Sequence, residues 1–234
     1  TTSLLSLKLE IVAWALEVSP TKLRPVSTYP KNMLSAFSDK VSKSTFNILD
    51  VVEYNSGIST KSDDVDMVYM GQVLTSGTGQ NPARQSAMYA GISKDKTATT
   101  INQVCGSGLA SIALAFNSVK CGDGDILIAG GQESMSNAPH FINLRNGLKM
   151  GPGTLADSMI IDGLWDIYNN YHMGMTAENI AEKYQITREE QDSFALLSQR
   201  KAGEAIKLKK FEDEIVPIKI HIKGNFGTDL LTQL

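Results

Sequence analysis

Thr99-Thr100-Ile101-Asn102-Gln103-Val104-Cys105-Gly106-Ser107-Gly108-Leu109-Ala110 decides how the rest of the chain is read. Thr99 to Val104 is β-branched and predicts a strand. Gly106 to Lys120 carries apolar side chains at Leu109, Ile112, Ala113, Leu114, Phe116 and Val119, a helical spacing with a wide face expected to be buried. Gly122-Asp123-Gly124 stops that helix, and Asp125-Ile126-Leu127-Ile128-Ala129-Gly130-Gly131 follows as a strand without polar interruption. Strand, helix and fully apolar strand predict an α/β fold with a parallel sheet covered on both faces. In such folds ligands gather at the carboxyl ends of the strands, where Cys105 and Gln132-Glu133 fall.

Upstream, Val65-Asp66-Met67-Val68-Tyr69-Met70-Gly71 predicts another strand ending in glycine. Asn81 followed by Pro82 reads as a side-chain cap and first helical position, opening a helix to about Ala90. Cys105 thus sits where a strand gives way to a helix. Free amides and the positive end of the helix dipole stabilise an anion there, either a thiolate or an oxyanion on an acylated sulfur. The segment reads as a nucleophile that accepts an acyl group. An isolated Cys-Gly-x-Gly is more often something plainer, a small buried cysteine beside packing glycines.

Downstream, Thr176-Ala177-Glu178-Asn179-Ile180-Ala181 begins a helix, and Thr187-x-x-Glu190 is a capping box for a second one running to about Lys209. Residues 1–62 have prolines at 20, 25 and 30 and no chemical motif; Glu10 to Leu16 reads as strand or helical turn, and Ser35 to Val52 is equally ambiguous.

The totals exclude several classes. The 234 residues are 42% hydrophobic with 19 glycines and 7 prolines, as in an ordinary globular α/β chain. A net charge of −3 with no basic block gives nucleic-acid binding no electrostatic support. Two cysteines, Cys105 and Cys121, make no disulfide framework, and three histidines without Cys-x-x-Cys argue against a zinc site. No apolar run approaches the ~20 residues of a membrane span, so no membrane partner is expected. The start carries neither a basic secretory region nor an Arg-rich transit segment, which leans cytoplasmic, with the mitochondrion as alternative.

A longer pattern joins these pieces. Asn81-Pro82-Ala83-Arg84-Gln85, Val104-Cys105-Gly106-Ser107-Gly108-Leu109, Ala129-Gly130-Gly131-Gln132-Glu133-Ser134-Met135-Ser136-Asn137-Ala138-Pro139, Asp162-Gly163-Leu164, Tyr171-His172-Met173-Gly174, Thr176-Ala177-Glu178-Asn179 and Arg188-Glu189-Glu190-Gln191-Asp192 occur in family order. Together they closely resemble the thiolases, best of all the acetyl-CoA acetyltransferase (acetoacetyl-CoA thiolase) branch, over roughly residues 63 to 220. The resemblance implies the N-terminal half of a thiolase fold: a mixed, mostly parallel sheet covered by helices, with a helical loop-domain excursion. It divides the chain into an atypical segment 1–62, a nucleophile-bearing core 63–134, a loop domain 135–220 with coenzyme A and oligomer contacts, and an atypical tail 221–234.

The resemblance also implies an acyltransferase. Cys105 would take an acetyl group from acetyl-CoA, and a second acetyl-CoA, as its enolate, would attack the acetyl-cysteine to give acetoacetyl-CoA; thiolysis is the reverse. Coenzyme A thioesters are then substrates, with no cofactor and no metal. His172 and Met173 match positions beside the pantetheine arm, and Leu164 matches another apolar contact on it; from its residues alone His172 also reads as a satisfied loop histidine. His140 and His221 match no chemical position, Cys121 reads as a bystander, and Met135, Met150 and Met159 read as packing or interface residues. The loop from Pro139 to about Gly153 would contribute dimer-of-dimers contacts in a homo-oligomer.

Two departures shape the expectation. Residues 1–62 lack the family's opening strand and Arg-Thr-Pro-x-Gly-like turn. The family's second half carries a Gly-His-Pro histidine, an asparagine and a second cysteine, none matched here. Alone, the chain is therefore expected to turn over little or not at all. The alternative is a non-catalytic fragment acting as an oligomer-interaction module. A ketoacyl synthase is disfavoured by Gly106-Ser107-Gly108, and a hydrolase by the want of a His-Asp or His-Asn pair.

Overall fold

A computed structural model of the chain describes residues 61–212 and 215, with the backbone of Glu10–Ile11, Ile220–Ile222 and Asn225–Gly227. The ambiguous stretch Ser35 to Val52 lies outside the described residues, and so does most of Glu10 to Leu16. The chain divides into two compact units, Thr1–Pro139 and His140–Leu234.

In the first unit, β1 (Glu10–Ile11), β2 (Met67–Gly71), β3 (Thr97–Ile101) and β4 (Leu127–Gly131) form one sheet in the order β1-β4-β2-β3. Every pairing is parallel. Helix α1 (Pro82–Tyr89) links β2 to β3, and α2 (Ser107–Cys121) carries the chain back across β2 to β4. Parallel crossovers keep one hand, so reversing the direction of travel sends the second helix to the opposite face. The packing follows that rule. Val68, Met70 and Ile128 meet Ala83, Ala87, Ala90 and Ile92 on the α1 side. Leu127 and Ala129 meet Ala115, with Met67, Tyr69, Ile112 and Val119 packed around them, on the α2 side. Residues thus alternate between faces with the strand period of two. The all-parallel pairing agrees with the mostly parallel, helix-covered sheet expected from the sequence.

Helix α2 corrects the sequence reading of its buried face. The residues it buries are Ser107, Ser111 and Ala115, one small ridge at four-residue spacing. Ile112 and Val119 pack partly against the core, whereas Leu109 is 74% exposed and Leu114 and Phe116 are exposed as well. The cause is the strand ends that α2 meets. A β-carbon on Gly71 would lie 2.4 Å from the carbonyl carbon of Ser107, and one on Gly108 would lie 3.9 Å from the Gly131 nitrogen. Ser111 Oγ also sits 2.7 Å from the Gly130 carbonyl oxygen. A helix held this close leaves room only for small side chains between itself and the sheet. Val104–Cys121 also has a mean hydropathy of 1.3 over 18 residues, enough by length and composition for a membrane helix. That is more than the absence of any long apolar run suggested, yet its small ridge is seated on a sheet as in an α/β core.

Strand β4 begins two residues later than the sequence predicted because Asp66 takes the preceding amides. Its Oδ2 accepts from the nitrogens of Asp125 (2.9 Å) and Ile126 (3.2 Å), and its Oδ1 accepts from Lys96 Nζ at 3.2 Å. These bonds, the Asp125 amide first, hold the Asp66 carboxyl below its usual range. A depressed folded value means that the stabilisation is complete above the unfolded value near ~4 and is lost as pH falls through the folded one. Asp66→Ala is expected to cost about 1–2 kcal/mol near neutral pH by urea unfolding, with the gap to the parent narrowing as pH falls below about 4.

The second unit is built from short pieces. Strands β5 (His140–Phe141) and β6 (Ala156–Asp157) pair antiparallel, with His140 Nε2 3.6 Å from Asp157 Oδ2. A π-helical turn, Ile160–Leu164, leads into the antiparallel pair β7 (Trp165–Asp166) and β8 (Tyr171–His172). Helices α3 (Met173–Tyr184) and α4 (Arg188–Lys207) follow, then an antiparallel pair β9 (Ile220–Ile222) and β10 (Asn225–Gly227). The expected capping box is formed: Thr187 Oγ1 accepts from Glu190 N at 3.2 Å, and Glu190 Oε2 accepts from Thr187 N at 2.8 Å.

Candidate active site

The carboxyl ends of three strands are tied together beside the nucleophile. Gln72 N donates to the Ile101 carbonyl and Gln132 N to the Gly71 carbonyl, each at 2.9 Å, which extends the ladder one residue past β2 and β4. Gln132 Nε2 donates to Gln72 Oε1 at 3.0 Å. Glu133 Oε2 accepts from Val73 N at 2.8 Å and its Oε1 from Leu74 N at 3.2 Å. Both carboxylate oxygens are therefore spent on main-chain amides, fixing the loop that leaves β2.

Cys105 sits on the turn between β3 and α2, and its side chain is exposed. The buried packing cysteine is thereby ruled out. The strand predicted to reach Val104 stops at Ile101, and Val104 takes a left-handed backbone with φ of 49°. Such a conformation is costly for a β-branched residue and persists only where its surroundings over-determine it. They do so from both sides of the residue. Asn102 Oδ1 accepts from Val104 N at 2.9 Å, and Ser107 Oγ donates to the Val104 carbonyl at 2.5 Å while accepting from Gln103 N at 2.9 Å. Ser107 N donates to Val104 O at 3.1 Å and Gly106 N to Gln103 O at 3.0 Å, so the turn passes directly into the helix. Gly106 offers no side chain to cap that helix start. Chemically, this is a thiol presented on a strained strand-to-helix turn next to helix-end amides, the arrangement that suits a nucleophile and a developing oxyanion.

The other expected site residues lie in the second unit, and its hairpin brings them together. Trp165 is paired with His172, so Leu164 and Met173 each continue from one end of the same residue pair. The turn between the strands is knotted by Asp166, whose carboxyl is held low by the Asn169 side chain, then by the Asn169 and Tyr168 amides. His172 caps α3: its Nδ1 accepts from Gly174 N at 3.0 Å, leaving Nε2 to carry the ring hydrogen. The helix accordingly starts at Met173, three residues before the start that the sequence suggested. Histidine is outside the usual capping set, so only the structure reveals it. His172→Ala is expected to lower urea-unfolding stability by about 1 kcal/mol, and His172→Asn to keep it, because asparagine supplies the same acceptor.

Among the described residues no group of three or more His, Cys, Asp or Glu side chains could hold a metal ion. Sequence reading placed Glu133 at a strand end but gave it no role, and it did not single out Asn102, Ser107 or Gly71 as site residues. The available signals were an asparagine two residues before a β-branched residue and a serine between two glycines.

Comparison of the sequence with known proteins identifies a family. The family model described as thiolase, N-terminal domain, matches residues 45–231. Acetyl-CoA acetyltransferase of Cupriavidus necator is 57% identical over 161 residues, 68% of this chain and 41% of that protein. The protein of the same name from Allochromatium vinosum is 56% identical over 159 residues, covering 68% and 40%. The probable acetyl-CoA acetyltransferase of Escherichia coli is 53% identical over 161 residues, covering 68% and 41%. The chain thus spans about two fifths of the length of these curated relatives. With most of its length matched to the thiolase N-terminal domain, and a cysteine displayed at a strand-to-helix turn within it, the chain belongs to the thiolase family.

Proposed function

We propose that this chain is the nucleophile-bearing part of an acetyl-CoA acetyltransferase. The observation that carries the proposal is the exposed Cys105 on a turn strained at Val104, in a chain of the thiolase family. Cys105 Sγ attacks the thioester carbonyl of acetyl-CoA, the tetrahedral oxyanion is stabilised by amides at the start of α2, and coenzyme A leaves as the thiol. Acetyl-Cys105 is then the electrophile for the enolate of a second acetyl-CoA. Leu164, His172 and Met173 contact the pantetheine arm, His172 through the Nε2 hydrogen that its capping role leaves outward. The working protein is a homo-oligomer, a dimer of dimers.

The second half-reaction needs a base to make the enolate, and the unit that carries Cys105 contains no histidine: the three in the chain are His140, His172 and His221. The 234-residue chain by itself is therefore proposed to become acetylated without turning over. Incubation with acetyl-CoA followed by peptide mass spectrometry tests this. Acetylation at Cys105 and not Cys121, with no measurable thiolysis of acetoacetyl-CoA, is the expected outcome; an unmodified Cys105 sinks the acyl-transfer reading, and family-like turnover sinks the inactivity. The exposed Leu109, Leu114 and Phe116 on α2 favour one other reading, a module that pairs with complete thiolase subunits. Co-purification with an intact thiolase and no labelling of Cys105 would select it.

A further inference from the structure

We infer that Asn102 is a positioning residue for the nucleophile: it holds Val104 in the left-handed conformation that aims Cys105, and Glu133 braces it from the end of the neighbouring strand. This rests on the acyl-transfer reading of Cys105. Asn102 bridges two loops. Its Oδ1 accepts from Val104 N at 2.9 Å, and its Nδ2 donates to the Val73 carbonyl at 3.4 Å. The Val73–Leu74 peptide is in turn fixed through the Leu74 nitrogen, which donates to Glu133 Oε1 at 3.2 Å, while Val73 N donates to Glu133 Oε2 at 2.8 Å. A continuous set of bonds therefore runs from the end of β4, through the loop after β2, to the peptide that precedes Cys105.

Two side chains hold Val104, and they differ in what else they support. Ser107 is 4% exposed and forms part of the helix start, so its loss damages α2 itself. Asn102 is exposed, and water can satisfy Val104 N when its side chain is removed. Without Asn102 the fold remains, while Val104 is free to relax toward the extended backbone that β-branched residues prefer. Cys105 then swings away from the start of α2.

Alkylation of the 234-residue chain with iodoacetamide tests this, with Cys121 as a reference within the same molecule. The ratio of modification at Cys105 to that at Cys121, read by peptide mass spectrometry, is expected to fall roughly tenfold in Asn102→Leu, with the thermal midpoint close to the parent's. Adding Val104→Gly should restore most of the ratio, because glycine adopts a left-handed φ without a β-carbon penalty and needs no holding. A merely structural asparagine would not be rescued in that way. An unchanged ratio in Asn102→Leu, a fall that comes with loss of the folded signal, or a double variant that fails to recover overturns the inference. Alkylation uses no thioester, so failed acetylation by acetyl-CoA would overturn the acyl-transfer reading separately.

Discussion

Gly71→Ala is expected to destabilise the chain by about 3 kcal/mol, seen as a lower urea midpoint at unchanged slope. The β-carbon it adds would lie 2.4 Å from the carbonyl carbon of Ser107, 2.6 Å from Gly108 N and 2.7 Å from Ser107 O. All three are main-chain atoms, so no side chain can rotate aside. Relief requires α2 to withdraw by about 1 Å to reach ordinary carbon contact distance. Withdrawal stretches the 2.7 Å bond from Ser111 Oγ to Gly130 O and loosens the Leu127–Ala129 contacts with Ala115. The companion Gly108→Ala supplies the control. Its β-carbon would stand 3.9 Å from Gly131 N, an ordinary contact, and alanine is a better helix former by about 1 kcal/mol. Gly108→Ala should therefore leave the midpoint unchanged or raise it. Equal losses in both variants would refute the close approach of α2 to β2.

The same approach explains which parts of the fold could be read from sequence. The capping box at Thr187 and Glu190, the Asn81-Pro82 helix start and the apolar β4 are local, since the residues that form them lie within a few positions of each other. The burial of α2 is not local. Leu109 and Phe116 fit a buried face by spacing alone, but Gly71 and Gly131, at the ends of other strands, decide that Ser107, Ser111 and Ala115 go inward. At the site, Cys105 could be located from its neighbours, whereas the path of the chain through Gln103 and Val104 could not. Strand propensity at Val104 gives way to two hydrogen bonds, one that Val104 N donates to Asn102 Oδ1 and one that the Val104 carbonyl accepts from Ser107 Oγ, each side chain competing with the ladder for the main chain. His172 was placed by resemblance, and its capping bond depends on ring orientation, which spacing does not encode.

Cys105→Ser is expected to abolish acetylation as completely as Cys105→Ala, a drop of at least about 10³-fold in labelling by acetyl-CoA. The comparison isolates what the turn contributes. A cysteine thiol is a few per cent ionised near neutral pH and strongly nucleophilic, so a strained turn and helix-end amides suffice for slow acylation. A serine hydroxyl in the same place stays protonated unless a base takes its proton, and the unit around residue 105 has no histidine to do so. Serine changes little in size on an exposed turn, so Cys105→Ser should unfold at the parent's urea midpoint, which separates lost chemistry from lost structure. Acetylation of Cys105→Ser at a tenth of the parent's rate or more would mean that a base within this chain activates residue 105. Acyl transfer would then rest on more than the strand-to-helix turn. If only the thiol is labelled, the fold's contribution to the first half-reaction is presentation: Val104 held left-handed, Cys105 outward, and α2 seated against Gly71.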